Sequence, residues 1–110
     1  MEGEMDLKLW IDDIRPAPEG YVWCFSVDAA KAWIKNAEFD KYAFGGEGVE
    51  LIDIDHDAGE FASDGGDYIR LLDWLEETGR NYPIRIHSAN LVGVANMRRI
   101  IQRNNWKEVF

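Results

Sequence analysis

The segment Val49–Ile54 constrains the fold more than any other part of the sequence. It is nearly all apolar, with two acidic interruptions, and it runs directly into Asp55-His56-Asp57. A short apolar run of this kind is typical of a strand buried on both faces in the middle of a parallel sheet. The polar triplet then marks the carboxyl end of that strand.

Further strands are predicted at Leu7–Ile11, Tyr21–Phe25 and Ile84–His87, from their aliphatic, β-branched and aromatic content. Between them, three segments repeat apolar residues with helical spacing. These helices are expected from the N-cap Ser26 to about Asn36, from Asp67 to Thr78, and from Val92 to Asn104. The residues expected to face the core are Val27, Ala30, Trp33 and Ile34 in the first helix, Tyr68, Leu71, Leu72 and Leu75 in the second, and Val94, Met97, Ile100 and Ile101 in the third.

The remaining segments are predicted to be connections. Residues 37–48 contain a glycine cluster and are expected to be flexible, and the loop 58–66 is expected to be too polar for the core. Trp106–Phe110 is expected to form either a short strand or a packed tail. The alternation of strands with helices predicts an α/β domain with a mostly parallel sheet of four or five strands.

The composition predicts one soluble cytoplasmic domain over residues 1–110. The chain has 110 residues, enough for a single core, and its one cysteine, Cys24, rules out an internal disulfide. Cys24 lies in an apolar run and is expected to be a small buried residue. The acidic N-terminus does not resemble a signal peptide, and no apolar run reaches membrane length.

The charge distribution argues against bulk nucleic-acid binding. The formal net charge is −9, whereas counterion release from DNA or RNA needs a basic surface. The basic residues of segment 80–110 have two interpretations: they pair with acids or stay solvated, or they contact a phosphate group. Oligomeric state is not predictable from these features.

Polar groups follow three of the predicted strands. They are Asp12 and Asp13 after the first, Asp55, His56 and Asp57 after the third, and His87, Ser88 and Asn90 after the fourth. Because ligands of such sheets bind beyond the carboxyl ends of the strands, we expect these groups to form one site.

A divalent cation would explain the carboxylates of this cluster. Like charges held together raise one another's pKa, and Mg²⁺ or Mn²⁺ bound by Asp12, Asp13, Asp55 and Asp57 removes that penalty. Asp53 is assigned to a buried supporting role. Aspartate also caps helices and stabilises turns, so this alternative stays open.

The two histidines of the chain, His56 and His87, both fall in the candidate site and are candidates for proton transfer. Either is also compatible with a structural, hydrogen-bonded role. Ser88 is a candidate ligand for a phosphate oxygen. Asn90 either caps the last helix or donates to substrate, and capping is the favoured interpretation.

Three strings in this sequence resemble a known family. They are Leu9-Trp10-Ile11-Asp12-Asp13-Ile14-Arg15-Pro16, Asp55-His56-Asp57 and His87-Ser88-Ala89-Asn90. Together they resemble receiver domains of bacterial two-component signalling and, more closely, the cyclic-phosphate processing receiver domain, over roughly residues 7–104. The resemblance implies a small flavodoxin-like, three-layer fold, with Asp12 and Asp13 as the acidic pair, Asp55 at the phospho-acceptor position and Ser88 as the hydroxyl. It also makes Arg15 a candidate substrate-binding residue.

The sequence departs from an ordinary receiver in two respects. Too few residues separate the first two strands for a standard parallel crossover, so the first helix is reduced or absent, and an antiparallel second strand is an alternative. Lys107 is the sole candidate for the lysine that receivers carry after a fifth strand.

We therefore expect a metal-dependent phosphoesterase-like domain that acts on a cyclic phosphate of a nucleotide or RNA end. In this hypothesis Asp55, His56 and His87 are catalytic, and Ser88, Asn90 and Arg15 bind substrate. The alternative is a non-catalytic receiver-like module that binds phosphate or a protein partner. A third possibility is an adaptor whose acidic face only aids solubility.

Overall fold

The computed structural model describes residues 7–46 and 48–110. Residues 1–6, to which the signal-peptide prediction refers, and Glu47 lie outside this description. The sheet has four parallel strands in the order β2-β1-β3-β4. The strands are β1 (Leu7–Ile11), β2 (Val22–Cys24), β3 (Val49–Ile54) and β4 (Ile84–Ile86).

Three α-helices connect and cover these strands, as predicted. They are α1 (Val27–Phe44), α2 (Ile69–Glu77) and α3 (Leu91–Arg103). A short 3₁₀ helix at Gly59–Ser63 lies between β3 and α2. The order of strands and helices confirms the α/β, flavodoxin-like architecture.

The second strand is parallel to the first, so the antiparallel alternative is wrong. Leu9 pairs with Val22 and Ile11 with Cys24 in parallel register. Residues 12–21 make this crossover without a helix, as bends, turns and extended chain. The length rule for parallel crossovers assumes a helix in the connection, and a connection without one spans the distance in fewer residues. The absence of a first helix is confirmed for this segment.

All three helices pack on one face of the sheet. The shared core contains Leu9 and Ile11 of β1, Ile52 and Ile54 of β3, and buried residues of every helix. The opposite face presents Trp10, whose register neighbours are Trp23 and Asp53. The residues described therefore form two layers, where the sequence predicts three. The β1–β2 connection crosses the sheet in one direction and the β2–β3 connection crosses it in the other. Because such connections are right-handed, the two run over opposite faces of the sheet. A helix between β1 and β2 would therefore have formed the third layer.

The predicted core faces are largely correct. The whole α2 set, together with Val27, Ala30 and Ile34 of α1, is buried, and so are Met97, Ile100 and Ile101 of α3. Two positions differ from the prediction. Trp33 keeps 44% of its surface exposed, and Gly93 is buried where Val94 was expected, with Val94 half-buried.

Helix α1 continues well beyond the predicted end at Asn36. It ends at Phe44, where Gly45 adopts a left-handed conformation (φ 79°) and donates its N–H to the carbonyl of Lys41. Residues 37–44 contain no glycine or proline, so nothing interrupts the helix before this glycine cap. The prediction of a flexible connection is therefore wrong for residues 37–44. The loop after β3 also contributes to the core, because Ala58 is fully buried and Phe61 packs against the core.

The end of the chain adds one bridge to the sheet. Glu108 forms an isolated parallel bridge with Ile84, the first residue of β4. The Ile84 N–H donates to the carbonyl of Lys107, which places Lys107 beside the start of β4. The end of β4, where the sequence predicts the site, lies at the opposite edge of the sheet.

Four of the basic residues in segment 80–110 form ion pairs, as the first interpretation of this segment predicts. The pairs are Arg80 with Glu38, Arg85 with Asp53, Arg98 with Glu108, and Arg103 with Glu76. Within residues 7–46 and 48–110, no helix is both long enough and apolar enough to cross a membrane.

Candidate metal and phosphate site

The register of the sheet brings the predicted polar groups to one edge. Ile11, Ile54 and Ile86, the last residues of β1, β3 and β4, are in register with one another. The residues that follow these strands therefore emerge side by side. The Asp55 N–H donates to the carbonyl of Ile11 (2.9 Å) and the His87 N–H to the carbonyl of Ile54 (2.9 Å), which continues the ladder into the site.

Three carboxylates converge at this edge. Asp12, Asp13 and Asp55 each offer an oxygen atom, and these atoms all lie within 4.8 Å of one another. The predicted convergence of the first and third strand ends is therefore present. Asp12 is buried, whereas Asp13 and Asp55 are partly exposed, so the cluster opens to solvent on one side.

The carboxylate of Asp12 is held by three neighbours, and its backbone by a fourth. Its Oδ1 accepts the backbone N–H groups of Ile14 (2.9 Å) and Arg15 (3.0 Å), and its Oδ2 lies 2.9 Å from His87 Nε2. Its backbone carbonyl accepts the indole N–H of Trp23. Burial alone would raise the pKa of Asp12, but the two backbone hydrogen bonds and His87 outweigh it and hold the pKa below its ordinary value. Asp12 thus both forms a turn and remains ionised in the cluster.

Asp13 has the opposite electrostatic environment. Burial and the neighbouring carboxylates Asp12, Asp55 and Asp57 raise its pKa, although a backbone hydrogen bond partly opposes the effect. The side chain lies tightly against Gly59, because a Cβ placed on this glycine would be 2.4 Å from Asp13 Oδ2. Gly59 also has a left-handed backbone (φ 57°). The 3₁₀ helix after β3 therefore limits the position of Asp13.

The side chain of His87 is nearly buried, and both of its ring nitrogens face carboxylates and not the solvent. Its Nδ1 is 2.7 Å from Asp53 Oδ1, its Nε2 is 2.9 Å from Asp12 Oδ2, and its side chain is only 7% exposed. The ring stacks on Trp10, with centroids 3.7 Å apart and planes 4° apart. Asp53 is fully buried and also accepts from Arg85, which matches its predicted supporting role.

His56 forms a separate pair with Asp57. Its Nδ1 donates to Asp57 Oδ1 (2.8 Å), and this hydrogen bond, followed by weaker ones from Asn90, lowers the pKa of Asp57 despite partial burial. The His56 ring packs closely against Gly93, where a Cβ would lie 2.4 Å from His56 Cγ. Asp57 is therefore directed to the start of α3 and does not belong to the group formed by Asp12, Asp13 and Asp55.

The remaining candidates lie around the cluster. Asn90 is the N-cap of α3 and accepts the N–H of Gly93 (2.9 Å), which confirms the capping interpretation. The Ser88 hydroxyl accepts the N–H of Asn90 (3.2 Å) in the turn before this helix. Arg15 is exposed and makes a long contact from Nη1 to the carbonyl of His87 (3.5 Å).

Some residues at the site were not identified from the sequence. The sequence identifies Trp10 only as a strand residue and as part of the family resemblance, although its ring stacks on His87. Tyr68 was assigned only to the core, yet burial and the nearby carboxylates of Asp13, Asp12 and Asp55 raise its pKa, and its hydroxyl donates to the carbonyl of Phe25. The alternation of side chains along β1 places Trp10 and Asp12 on one face, and this signal was available in the sequence.

The donor set fits a hard divalent cation. All three converging ligands are carboxylate oxygens, which Mg²⁺ and Mn²⁺ prefer. Burial is the main cause of the raised pKa of Asp13, and a cation would relieve the repulsion from Asp12, Asp55 and Asp57 that adds to it. The partly exposed side of the cluster leaves room for water or a phosphate oxygen. Asp12, Asp13 and Asp55 are thus the residues that would hold the ion.

Comparison with known proteins agrees with this geometry. The model of the cyclic-phosphate processing receiver domain family matches residues 7–103, which is most of the chain. No curated protein and no solved structure matches the chain significantly. The parallel sheet, the acidic cluster at its carboxyl edge and the family match together lead to one conclusion: the chain belongs to the cyclic-phosphate processing receiver domain family.

Proposed function

We propose that this domain is a Mg²⁺- or Mn²⁺-dependent phosphoesterase that opens a cyclic phosphate on a nucleotide or an RNA end. The observation that carries the proposal is the convergence of oxygens from Asp12, Asp13 and Asp55 within 4.8 Å of one another. Three carboxylates at the carboxyl edge of a parallel sheet favour a cation and a phosphate ligand over a solvated acidic surface. The family match supports cyclic phosphate as the substrate class.

The cation would supply positive charge to the phosphate oxygens, whose negative charge increases in the transition state. The residues of the chain would set its position. Asp12 is held by backbone N–H groups and by His87, so its carboxylate is already oriented before any ligand arrives. Asp13 and Asp55 are more exposed and would complete the set from the solvent side.

His56 is better placed than His87 to transfer a proton. Both ring nitrogens of His87 are engaged by buried carboxylates. In His56 only Nδ1 makes a hydrogen bond within the described residues, to Asp57, so Nε2 remains available. Asp57 fixes the ring orientation, as carboxylates commonly do for a histidine that exchanges a proton. We assign His87 to the support of Asp12 and His56 to proton transfer.

The phosphate group would be bound by residues at the rim of the cluster. Arg15 is exposed and contacts the backbone of His87, so its guanidinium is near enough to pair with a phosphate. Ser88 offers a hydroxyl in the turn that starts α3. Asn90 is engaged as the cap of α3, so its contribution would be to hold the turn in place.

Hydrolysis of 2′,3′-cyclic nucleotides tests this proposal directly. Turnover should require added Mg²⁺ or Mn²⁺ and should fall at least about 100-fold in Asp55→Asn and His56→Gln, as expected when a charge-stabilising or proton-transferring group is removed. Asp40→Asn is the matched control, because Asp40 is an exposed aspartate in the second half of α1. Equal turnover in wild type, Asp55→Asn and Asp40→Asn would reject the catalytic assignment.

Cation binding can be measured separately from turnover. Millimolar Mn²⁺ should raise the melting temperature of wild type and Asp40→Asn but not of Asp55→Asn, since a ligand that selects the folded state stabilises it. A cation-dependent shift without turnover of any cyclic or linear phosphodiester would favour the non-catalytic receiver-like alternative. No shift in wild type would support the view that the acidic face only aids solubility.

A further inference from the structure

A chain of hydrogen bonds leads from the open face of the sheet, which is the face opposite the three helices, to the acidic cluster. It begins at Asp53, the residue before the last of β3, whose side chain is fully buried. Asp53 Oδ2 accepts from Arg85 Nη1 (3.0 Å), and Oδ1 lies 2.7 Å from His87 Nδ1. Asp53 is not among the carboxylates that converge at the candidate metal site. It can contact that site only through another residue.

His87 connects Asp53 to Asp12. Its Nε2 is 2.9 Å from Asp12 Oδ2, on the side of the ring opposite Asp53. The stacked indole of Trp10 covers one ring face, and the side chain is 7% exposed, so the ring has little freedom to rotate. A rotation of the ring about its Cβ–Cγ bond would break the hydrogen bonds at both nitrogens.

The last link fixes the carboxylate of Asp12 in one orientation. Oδ1 is held by the backbone N–H groups of Ile14 and Arg15, and Oδ2 is held by His87. If His87 loses its anchor, only the Oδ1 contacts remain, and the carboxylate can turn about its own axis. The distance from Asp12 Oδ2 to the oxygens of Asp13 and Asp55 would then vary.

We propose that Asp53 is a positioning residue for the divalent cation: through His87 it orients the Asp12 carboxylate without touching the ion. This inference rests on the proposed function for its metal. It assigns Asp53 a role beyond its ion pair with Arg85. Groups behind the first ligands of metal sites commonly change metal affinity by about 10- to 100-fold, and we expect an effect of that size here.

The matched variants are Asp53→Asn and Arg85→Gln. Both remove the ion pair between buried Asp53 and exposed Arg85, but only Asp53→Asn changes the group that faces His87. In the full chain, calorimetric titration should show Mn²⁺ binding weakened about 10-fold or more in Asp53→Asn. Arg85→Gln should stay within about threefold of wild type. Urea denaturation of both variants shows how far each loses stability.

A second measurement does not need the cation. The ¹⁵N chemical shifts of the His87 ring nitrogens, recorded at fixed pH in metal-free protein, should change in Asp53→Asn and stay close to wild type in Arg85→Gln. The His56 ring is the internal reference, because its Nδ1 hydrogen bond goes to Asp57 and not to this chain. Its shifts should be the same in all three proteins.

The two proposals fail in different ways. If Asp53→Asn binds Mn²⁺ as tightly as wild type, or if Arg85→Gln loses the same affinity as Asp53→Asn, the positioning role is overturned. If wild type binds no Mn²⁺ at millimolar concentration, the metal-dependent function fails, and the ring shifts then decide the role of Asp53. Unchanged His87 shifts in Asp53→Asn would overturn it, and changed shifts would support the part of it that does not involve the ion, namely that Asp53 orients His87.

Discussion

The imidazole ring of His87 lies parallel to the indole ring of Trp10, with centroids 3.7 Å apart. These residues come from β1 and from the end of β4, with β3 between them in the sheet. Their contact spans the open face of the sheet, which no helix among the described residues covers. Trp10 is nevertheless buried, with only 8% of its surface exposed, because His87 and Tyr21 pack around it.

The stacked pair should contribute measurably to stability. Trp10→Leu removes the ring that covers His87 and the hydrogen bond from the indole to the carbonyl of Arg15 (2.8 Å). We expect the free energy of unfolding in urea to fall by about 3 kcal/mol. Trp10→Phe keeps an aromatic ring and loses only the hydrogen bond and some volume, so the loss should be about 1 kcal/mol. Equal losses in the two variants would show that the aromatic contact adds nothing.

Gly59 should be required for the geometry of Asp13. In Gly59→Ala the new methyl group would meet Asp13 Oδ2 at 2.4 Å, in addition to the strain of a left-handed backbone at φ 57°. Gly79→Ala is the matched control, because Gly79 has φ 69° and nothing within 4 Å of a new Cβ. Both variants should lose about 1 kcal/mol of stability from the left-handed backbone alone.

Only Gly59→Ala should also weaken Mn²⁺ binding, because it displaces a carboxylate of the candidate site. Calorimetric titration of the two variants separates this steric effect from the shared strain. The interpretation is wrong if Gly79→Ala loses as much cation affinity as Gly59→Ala.

Gly93 should be an exception to the usual benefit of alanine in a helix. Gly93 is the third residue of α3, and replacing a helical glycine by alanine ordinarily stabilises the helix by up to about 1 kcal/mol. At Gly93 the new methyl group would lie 2.4 Å from His56 Cγ, so Gly93→Ala should lower the melting temperature and separate His56 from Asp57. Ala95→Gly, at an exposed position of the same helix, measures the effect of helix propensity on stability without the contact to His56. A Gly93→Ala protein more stable than wild type would refute the close packing of this ring.

The pH dependence of stability should depend partly on Glu38. Hydrogen bonds from Arg80 lower the pKa of Glu38 below its ordinary 4.5, although burial opposes them, and Tyr82 adds a further hydrogen bond. A carboxyl whose pKa is lower in the folded state stabilises the protein above its unfolded pKa, and this contribution is lost as the pH falls through the folded value. The contribution is therefore full at neutral pH and declines below about pH 4.5.

Glu38→Gln tests this dependence. The variant should be about 1 to 2 kcal/mol less stable than wild type at pH 7, as expected for a charged hydrogen-bonded pair that is partly exposed. The difference should shrink when urea denaturation is repeated at pH values below 4.5. Glu77→Gln, an exposed glutamate of α2, is the control and should follow wild type at every pH. A gap between Glu38→Gln and wild type that stays constant with pH would contradict the assignment.

The sequence predicted the elements that depend on local patterns. The apolar stripe of α2 and the buried strand β3 are periodic signals, and both are present as expected. The meeting of Asp12, Asp13 and Asp55 followed from a topological rule about parallel strands. These predictions needed only the identity of neighbouring residues along the chain.

The remaining features depend on relations that the sequence does not contain. To predict the parallel direction of β2, one would need to know that a connection without a helix suffices for the crossover. The separation of Asp57 from the acidic cluster depends on how the chain turns after β3 ends, where strand alternation no longer fixes side-chain directions. The different surroundings of His56 and His87 arise from Gly93 and Asp53, which contact them from distant parts of the chain.

The reactivity of the Cys24 thiol should report how often β2 detaches from the sheet or the domain unfolds. The Cys24 side chain is 1% exposed at the end of β2, and burial raises the pKa of its thiol to about 12. A protonated, enclosed thiol resists alkylating reagents, so labelling should proceed only when β2 detaches from β1 or the whole domain unfolds. Since Cys24 is the one cysteine of the chain, the labelling rate of the unmodified protein measures the stability of this edge of the sheet.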